Sequence, residues 1–123
     1  MPFTTEYKNG CLYRNWSGVV SSDELFESIV LVKRDILNGL PADKALYDFS
    51  ETSKIDITNR DIRKYSVKCI EIARLSPNVK AAVVAPSDLI FGLARMWEMQ
   101  IDENRWHVKV FRSRELAESW LTD

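Results

Sequence analysis

One run of residues limits the fold more than any other stretch: "VKAAVVA" at positions 79–85 is almost continuously apolar and rich in valine. A strand with one solvent-exposed face alternates apolar and polar residues, whereas an apolar run of this length is typical of a strand covered on both faces. Such strands belong to parallel sheets that carry helices on either side. The run therefore predicts a central strand of an α/β domain.

The rest of the chain supplies the partners that this strand needs. Strand patterns cover residues 3–8, 11–20, 45–49, 79–85 and 107–111, and "NG" between the first two is a strong hairpin signal. Amphipathic helix patterns follow the second strand and each later one. The order ββαβαβαβα, with helical crossovers, predicts an α/β fold with a mainly parallel central sheet and an N-terminal antiparallel hairpin. Without a repeat or a linker, residues 1–123 are predicted to form a single domain.

Composition excludes several classes of function. The 17 Lys and Arg residues are matched by 18 Asp and Glu residues and are not clustered, so no nucleic-acid interface is indicated. The apolar runs are too short for a membrane span, and the start of the sequence has no signal-peptide pattern. Cys11 and Cys69 lie in apolar settings, which is typical of buried, reduced thiols. We therefore expect a cytoplasmic protein without a cofactor or a metal site.

Three helix starts carry capping residues. "SSDE" at 21–24, "PSD" at 86–88 and Ser113 each place a hydroxyl or a carboxylate where a helix begins. The segment before the second helix is more elaborate, because Thr58 and Asp61 have the spacing of a capping box. Ile57 and Ile62 flank them at the spacing of a hydrophobic staple. The segment that joins the strand at 45–49 to the second helix is thus predicted to be a helix start.

Helical periodicity also predicts which side chains face the core. In the third helix the inward positions are Leu89, Leu93, Met96, Trp97 and Gln100, and in the last helix they are Leu116, Trp120 and Leu121. On the same helical wheel, Phe91 and Arg95 fall outside the core stripe and lie one turn apart. Since aromatic residues and arginine are enriched in interfaces, this pair is a candidate partner surface.

The element order and four sequence blocks resemble the SpoIIAA-like family of STAS-type domains, which includes anti-sigma factor antagonists and is related in fold to CRAL-TRIO lipid carriers. The blocks are "GVVSSDEL" at 18–25, "LYDFS" at 46–50, "AAVVAPSDLIFGLARMWE" at 81–98 and "VKVFRSRELAESWL" at 108–121. The resemblance covers nearly the whole chain. It implies a compact, cytoplasmic, non-enzymatic domain.

The resemblance also bears on phosphorylation. The antagonists carry the signature D-L-S-x-V-x-x-I-D-S-[ST]-G, in which a kinase phosphorylates the serine after the second aspartate. Here residues 48–50 match its start and residues 55–56 match its I-D pair. The acceptor position then falls on Ile57, which has no hydroxyl. Thr58, one position later, is the remaining candidate for phosphorylation, and the helix cap is the competing interpretation of that residue.

Catalytic chemistry has little support in the sequence. Asp48 at a strand end suggests a metal or phosphoaspartate site, but a hard cation needs further carboxylates, and only Asp56 and Asp88 are plausible neighbours. His107 is the single histidine, and neither a nucleophile elbow nor a glycine-rich phosphate loop is present. We therefore predict that the protein is not an enzyme.

Two hypotheses for function remain. The first is a binding or regulatory module that acts through protein contacts, including self-association as a homodimer. The second is a small carrier for an apolar or lipid-like ligand, suggested by Met96, Trp97, Met99 and Trp106 near the third helix. In open α/β sheets ligands bind beyond the carboxyl ends of the strands. Combining that edge with the outward pair gives these candidate binding residues: Asp48, Ser50, Thr58, Ser87, Asp88, Phe91 and Arg95.

Overall fold

The computed structural model describes residues 2–40, 43–101 and 105–123. The strands are β1 (Phe3–Lys8), β2 (Cys11–Ser21), β3 (Lys44–Asp56), β4 (Val79–Val84) and β5 (Trp106–Phe111). The helices are α1 (Ser22–Leu37), α2 (Asn59–Leu75), α3 (Asp88–Gln100) and α4 (Arg114–Thr122). The predicted order ββαβαβαβα is therefore confirmed.

The strands of the described residues form one 5-stranded sheet in the order β1-β2-β3-β4-β5. β1 is antiparallel to β2, and every other neighbouring pair is parallel. The hairpin turns at Asn9 and Gly10, which both adopt positive φ angles of 53° and 76°. Asparagine and glycine tolerate that region, which explains the strong "NG" signal.

Helices cover the two faces of the sheet unequally. Leu12, Tyr47 and Val83 point to the face on which α1, α2 and α3 pack, and these elements together form the larger core. Cys11, Leu46 and Ala82, one position away in each strand, point to the other face and pack against α4 alone. The apolar run at 79–85 is buried on both faces, as predicted, because β4 lies between these two layers.

β3 is longer than the sequence predicted. The strand was expected to end at residue 49 and to give way to a polar joint, but it continues to Asp56. Its second half pairs with β2 from Ser17 to Ser21, with register shifts that mark bulges, whereas its ladder with β4 ends where Asp48 pairs with Val84. The polar residues that suggested a joint are mostly exposed, since among the described strands this half of β3 has only β2 as a neighbour.

Two inward positions were assigned wrongly. Leu89 is 63% exposed and Leu116 is 59% exposed, whereas their following residues, Ile90 and Ala117, are buried. The wheel gave the correct period but the wrong starting angle. That angle depends on how the chain enters each helix from the preceding strand, which a helical wheel does not contain. Leu93, Trp97 and Leu121 are buried as predicted, while the side chains of Met96, Gln100 and Trp120 are half-buried.

A buried arginine links the hairpin to α1. Arg14 is 1% exposed, and its Nη1 donates a hydrogen bond of 2.8 Å to the carbonyl oxygen of Ser28. Its Nε and Nη2 donate to the hydroxyl of Thr5 at 3.2 and 3.1 Å, and its guanidinium lies 4.8 Å from the ring centroid of Phe3. These bonds satisfy a charge that would otherwise be costly to bury. The sequence pattern did not predict this arrangement.

The helix starts follow the sequence prediction closely. Thr58 and Asp61 form a capping box, in which the Asp61 N–H donates to the Thr58 hydroxyl at 3.1 Å and the Thr58 N–H donates to the Asp61 carboxylate at 2.9 Å. At α1 the Ser21 N–H donates to the Glu24 carboxylate at 2.9 Å. The hydroxyls of Ser87 and Ser113 accept backbone N–H groups at the starts of α3 and α4.

The capping carboxylates predict how stability depends on pH. Hydrogen bonds from the backbone and side chain of Thr58 lower the pKa of Asp61 below its ordinary value of 3.8, and those from Ser21 lower the pKa of Glu24 below 4.5. Because both pKa values are depressed in the folded state, their stabilisation is complete above the ordinary values and is lost as pH falls through the lowered ones. We expect Glu24→Gln and Asp61→Asn to reduce the fall in unfolding free energy below about pH 4.5.

The measurement is urea denaturation, followed by circular dichroism, at a series of acidic pH values. Glu27→Gln, on the exposed side of α1, serves as the control and should keep the wild-type pH profile. Capping variants whose profiles match the wild type would show that the boxes do not contribute in this way.

Candidate functional site

The candidate site residues fall into separate regions because β3 is long. Asp48 and Ser50 lie in the middle of that strand, whereas Thr58 follows its end. At about 3.3 Å per residue, Ser50 is about 20 Å from Asp56 along the strand. Residues 48–50 and the residues at the start of α2 therefore do not form one cluster.

The first region is a polar cleft on the α4 face of the sheet. We define it by its lining residues, which are Thr4, Asn15, Trp16, Ser17, Asp48, Ser50, Glu51 and Arg114. Its volume is about 410 Å³, which is within the range of small-molecule sites. Residues from β1, β2, β3 and α4 meet in this cleft, and Asn15 pairs directly with Thr4 on one side and with Asp48 on the other.

Arg114 holds the polar cleft together. Its Nη1 donates hydrogen bonds to the Asn15 amide oxygen at 3.0 Å and to Asp48 Oδ2 at 3.1 Å, and its Nε donates to Glu118 Oε1 at 3.1 Å. Burial lowers the pKa of Arg114, but its hydrogen bonds to Glu118 and Asp48 outweigh this effect and raise it. The guanidinium is thus a fixed cation at the first residue of α4.

Asp48 is the buried acceptor of the polar cleft. The residue is only 7% exposed, and its Oδ1 accepts hydrogen bonds from the backbone N–H of Ser50 at 2.8 Å and from the Ser50 hydroxyl at 2.5 Å. Its Oδ2 accepts from Arg114. Asp48 therefore fixes the start of the second half of β3 and the orientation of Arg114 at the same time.

Arg114 was missing from the sequence prediction, although the sequence contains a signal for it. The first turn of a helix favours acidic residues because of the helix dipole, and a cation there is unfavourable without a partner. Arg114 occupies the first position of α4. An arginine in that position indicates an anionic partner elsewhere in the fold, and Asp48 is that partner.

The second region is an apolar slot between β3 and the starts of α2 and α3. Its volume is about 50 Å³, a third of the roughly 150 Å³ that holds one benzene molecule in a protein core. The slot is lined by these residues: Trp16, Leu25, Tyr47, Phe49, Ile55, Ile57, Ile62, Tyr65, Val83, Ile90, Leu93, Ala94 and Trp97.

Ile57 and Thr58 have different surroundings at the edge of this slot. Ile57 lines the slot together with Ile62, so both members of the predicted staple lie on one apolar surface. Thr58 is exposed, and its hydroxyl accepts the Asp61 N–H. The residue at the acceptor position of the family signature is thus part of the packing, and the neighbouring hydroxyl is used as a cap.

The start of α3 is covered differently from the prediction. Phe91 is half-buried and packs against the larger core, and the guanidinium of Arg112 lies 4.0 Å from its ring centroid. Arg112 also donates hydrogen bonds to Asp88 at 2.8 Å and to the carbonyl oxygen of Pro86 at 3.1 Å. Arg95 is exposed and pairs with Glu98 on its own helix. The residue stacked on Phe91 is therefore Arg112, which the sequence did not indicate.

The aromatic and methionine residues near α3 do not form one cluster around a cavity. Trp97 and Trp106 are buried, and the Trp106 indole N–H donates to the carbonyl oxygen of Ser76 at 2.8 Å, whereas Met99 is exposed. Burial raises the pKa of the nearby Cys69 thiol to about 12. Cys69 is therefore a core residue with little thiolate character.

Within residues 2–40, 43–101 and 105–123, no three His, Cys, Asp or Glu residues are grouped as metal ligands. No helix in that part of the chain is both long and apolar enough to cross a membrane.

Three solved structures are similar in fold to this chain over nearly its whole length. An uncharacterized DUF3478-family protein with a SpoIIAA-like fold, from Shewanella loihica PV-4, has a TM-score of 0.60 and 16% identity over 97% of this chain and 91% of its own. The anti-sigma factor antagonist SpoIIAA in its unphosphorylated form has a TM-score of 0.59 and 11% identity over 98% of this chain and 97% of its own. The phosphorylated Bacillus cell fate determinant SpoIIAA has a TM-score of 0.58 and 11% identity over 96% and 97%.

No protein-family model and no curated protein matches the sequence. At identities as low as these, the likeness to solved structures concerns the fold alone. The described residues form an antiparallel hairpin, parallel strands and helices, and these elements agree with a SpoIIAA-like fold. The chain therefore has the SpoIIAA-like fold of STAS-type domains.

The ion pair in the polar cleft yields a prediction about stability. We expect Asp48→Asn to lower the free energy of unfolding by about 1–3 kcal/mol, because it weakens a charge-assisted bond to Arg114 and turns an amide N–H₂ toward a hydrogen-bond donor of Ser50 or Arg114. The matched control is Asp88→Asn, since the Asp88 side chain is 98% exposed while paired with Arg112. That change should cost no more than about 0.5 kcal/mol.

Urea denaturation of both variants measures the difference. Equal losses in Asp48→Asn and Asp88→Asn would contradict a structural role for the buried carboxylate.

Proposed function

We propose that the protein is a non-catalytic binding or regulatory module that acts through protein contacts at the apolar slot. The observation that carries this proposal is an open apolar surface at the starts of two helices. Ile57 and Phe49 line the slot and are each half-buried, and Leu89, which precedes Ile90 of the slot lining, is exposed. Exposed apolar residues next to an apolar depression are typical of a surface that another protein covers.

The size of the slot indicates the kind of contact. At about 50 Å³ it accepts part of one aliphatic side chain rather than a whole ligand. Interfaces commonly place a single anchor residue in such a depression, while the surrounding contacts exclude water. Leu89 and Phe91 lie on the N-terminal part of α3, and with Arg112, which stacks on Phe91 from the end of β5, they would form the rim of that interface.

The fold supports the same class of function. SpoIIAA, which shares the fold, is an anti-sigma factor antagonist, and its structure is known in phosphorylated and unphosphorylated forms. We extend to this chain the general role of regulation through protein contacts. The proposed partner is another protein, and self-association as a homodimer is the alternative assembly through the same surface.

A non-enzymatic role fits the chemistry of the described residues. Both carboxylate oxygens of Asp48 accept structural hydrogen bonds, His107 is exposed on β5, and burial raises the pKa of Cys69. None of these groups is arranged as a nucleophile with an adjacent base. Free, buried cysteines also agree with a location in the cytoplasm, where thiols stay reduced.

Phosphorylation at Thr58 remains part of the proposal as a mode of regulation. The hydroxyl is exposed and stands at a helix N-terminus, which favours an added phosphate. The Asp61 carboxylate, bonded to the Thr58 N–H, would repel it, and the cap would be lost. A phosphate at Thr58 would thus alter the start of α2 beside the apolar slot.

The carrier hypothesis has less support. A carrier must enclose most of its ligand, and small-molecule sites occupy roughly 300–1,000 Å³. The apolar slot holds about 50 Å³. The slot is therefore too small for a lipid in this conformation, and protein contact is the better interpretation of its apolar lining.

Leu89 provides a direct test of the proposed surface. We expect Leu89→Ser to reduce the protein that co-purifies with the tagged chain from its own cells, or to shift a dimer toward monomer, because it removes an exposed apolar contact. Quantitative mass spectrometry of captured proteins and analytical ultracentrifugation provide the measurements. Thermal unfolding should be almost unchanged, since Leu89 is exposed.

Leu116→Ser is the matched control, because Leu116 has a similar exposure but lies on α4, against the opposite face of the sheet. Phe91→Ala and Arg95→Ala test the rest of the α3 surface in the same assay. If Leu89→Ser and Leu116→Ser give the same captured proteins and the same assembly as the wild type, the apolar slot is not the binding surface.

A further inference from the structure

The polar cleft has hydrogen-bond donors that its own residues leave unused. A guanidinium group can only donate hydrogen bonds, so Arg114 is bonded to the oxygen of the Asn15 amide. The nitrogen of that amide is therefore not its partner. In the described part of the chain, that nitrogen and Nη2 of Arg114 donate no hydrogen bond, although the same guanidinium uses its Nε and Nη1. The side chains that carry these two N–H₂ groups both line the cleft and are joined by the 3.0 Å bond from Arg114 Nη1 to the Asn15 oxygen.

This pair of donors suits a carboxylate. Because Nε and Nη1 are already used, one carboxylate oxygen would accept from Arg114 Nη2 and the other from the Asn15 amide N–H₂, which adds a donor without adding charge. The position is also rigid, because Asn15 lies in β2 between its partners in β1 and β3, and Arg114 is fixed by three acceptors. Little ordering is needed when a ligand binds to such preorganised donors.

The charges around the cleft restrict what that carboxylate can belong to. Asp48 and Glu118 already neutralise Arg114, and Glu51 lines the cleft as a further carboxylate. Glu51 is exposed and has no hydrogen bond or ion pair with the residues that the structure describes. This surplus of negative charge repels a phosphate, and it also disfavours a carboxylate whose molecule carries no compensating positive charge. A ligand that also carries an ammonium group would pair with Glu51.

We propose that the polar cleft binds a small zwitterion of the size of a free amino acid. Its carboxylate would receive the Arg114 Nη2 and Asn15 amide hydrogens, and its ammonium group would face Glu51. Thr4 and Ser17 supply hydroxyls at the rim for a polar side chain. The volume of about 410 Å³ accommodates such a molecule with bound water. This site lies on the α4 face of the sheet and shares only Trp16 with the lining of the apolar slot.

Binding of glycine, the smallest such zwitterion, tests the proposal. We expect millimolar glycine to shift the backbone amide signals of Asn15, Ser17 and Glu51 in two-dimensional NMR spectra. Acetate and methylamine, which each carry one of the two charges, should cause weaker shifts at the same concentration. A panel of the common amino acids then identifies the preferred side chain.

Two variants separate binding from folding. Glu51→Gln changes an exposed residue and should weaken glycine binding about two- to fivefold, because it removes the partner of the ammonium group. Asn15→Ala should weaken it by a similar factor through loss of the carboxylate donor. Glu71→Gln, exposed on α2, is the control and should bind as the wild type does.

Three results would overturn the proposal. They are the absence of shifts with glycine and with every amino acid of the panel, equal shifts with acetate alone, and unchanged affinity in Glu51→Gln. Each of these outcomes concerns the polar cleft alone, so none depends on the partner surface at the apolar slot.

Discussion

The parallel pairing of β2 with β3 is the constraint on which the rest of the structure depends. The two strands stay paired from Cys11 and Lys44 to Ser21 and Asp56, well beyond the point at which β4 ends. Since α1 and α2 start where these strands end, their N-termini are carried away from the carboxyl ends of β4 and β5. The long β2–β3 pair is lined by the apolar slot on the face that α1, α2 and α3 cover and by the polar cleft on the face that α4 covers.

Each region uses a different kind of stabilisation. The apolar slot is lined by side chains that continue the larger core. A small open volume remains beside Ile57 and Ile90. The polar cleft depends on Arg114, which connects α4 to the middle of the sheet through Asp48 and Asn15. A buried carboxylate with a fixed guanidinium gives a defined geometry to an otherwise exposed part of β3. These differences are the reason that we propose a protein contact at the apolar slot and a small polar ligand in the polar cleft.

Local interactions made much of the fold predictable. The Thr58–Asp61 box, the Asn9–Gly10 hairpin and the apolar run in β4 depend on neighbours in sequence or on burial from both sides, and all are found as predicted. The polar stretch after residue 49 misled the strand assignment, because exposed strand residues and loop residues have similar composition. Leu89 was wrongly placed in the core because the sequence period does not fix how a helix is rotated about its axis. Packing on the sheet sets that rotation.

The sequence by itself determined the order of the elements, the parallel sheet and the helix starts, because propensity, periodicity and capping act over a few residues. Only the tertiary structure decided which charges meet. Arg114 is 66 residues from Asp48 and 99 residues from Asn15 along the chain, yet α4 brings its first turn over the sheet at that point. Contacts between residues so far apart depend on the relative placement of whole elements, which no local pattern encodes. For that reason the sequence pointed to Asp48, and the fold supplied its partner and the cleft around it.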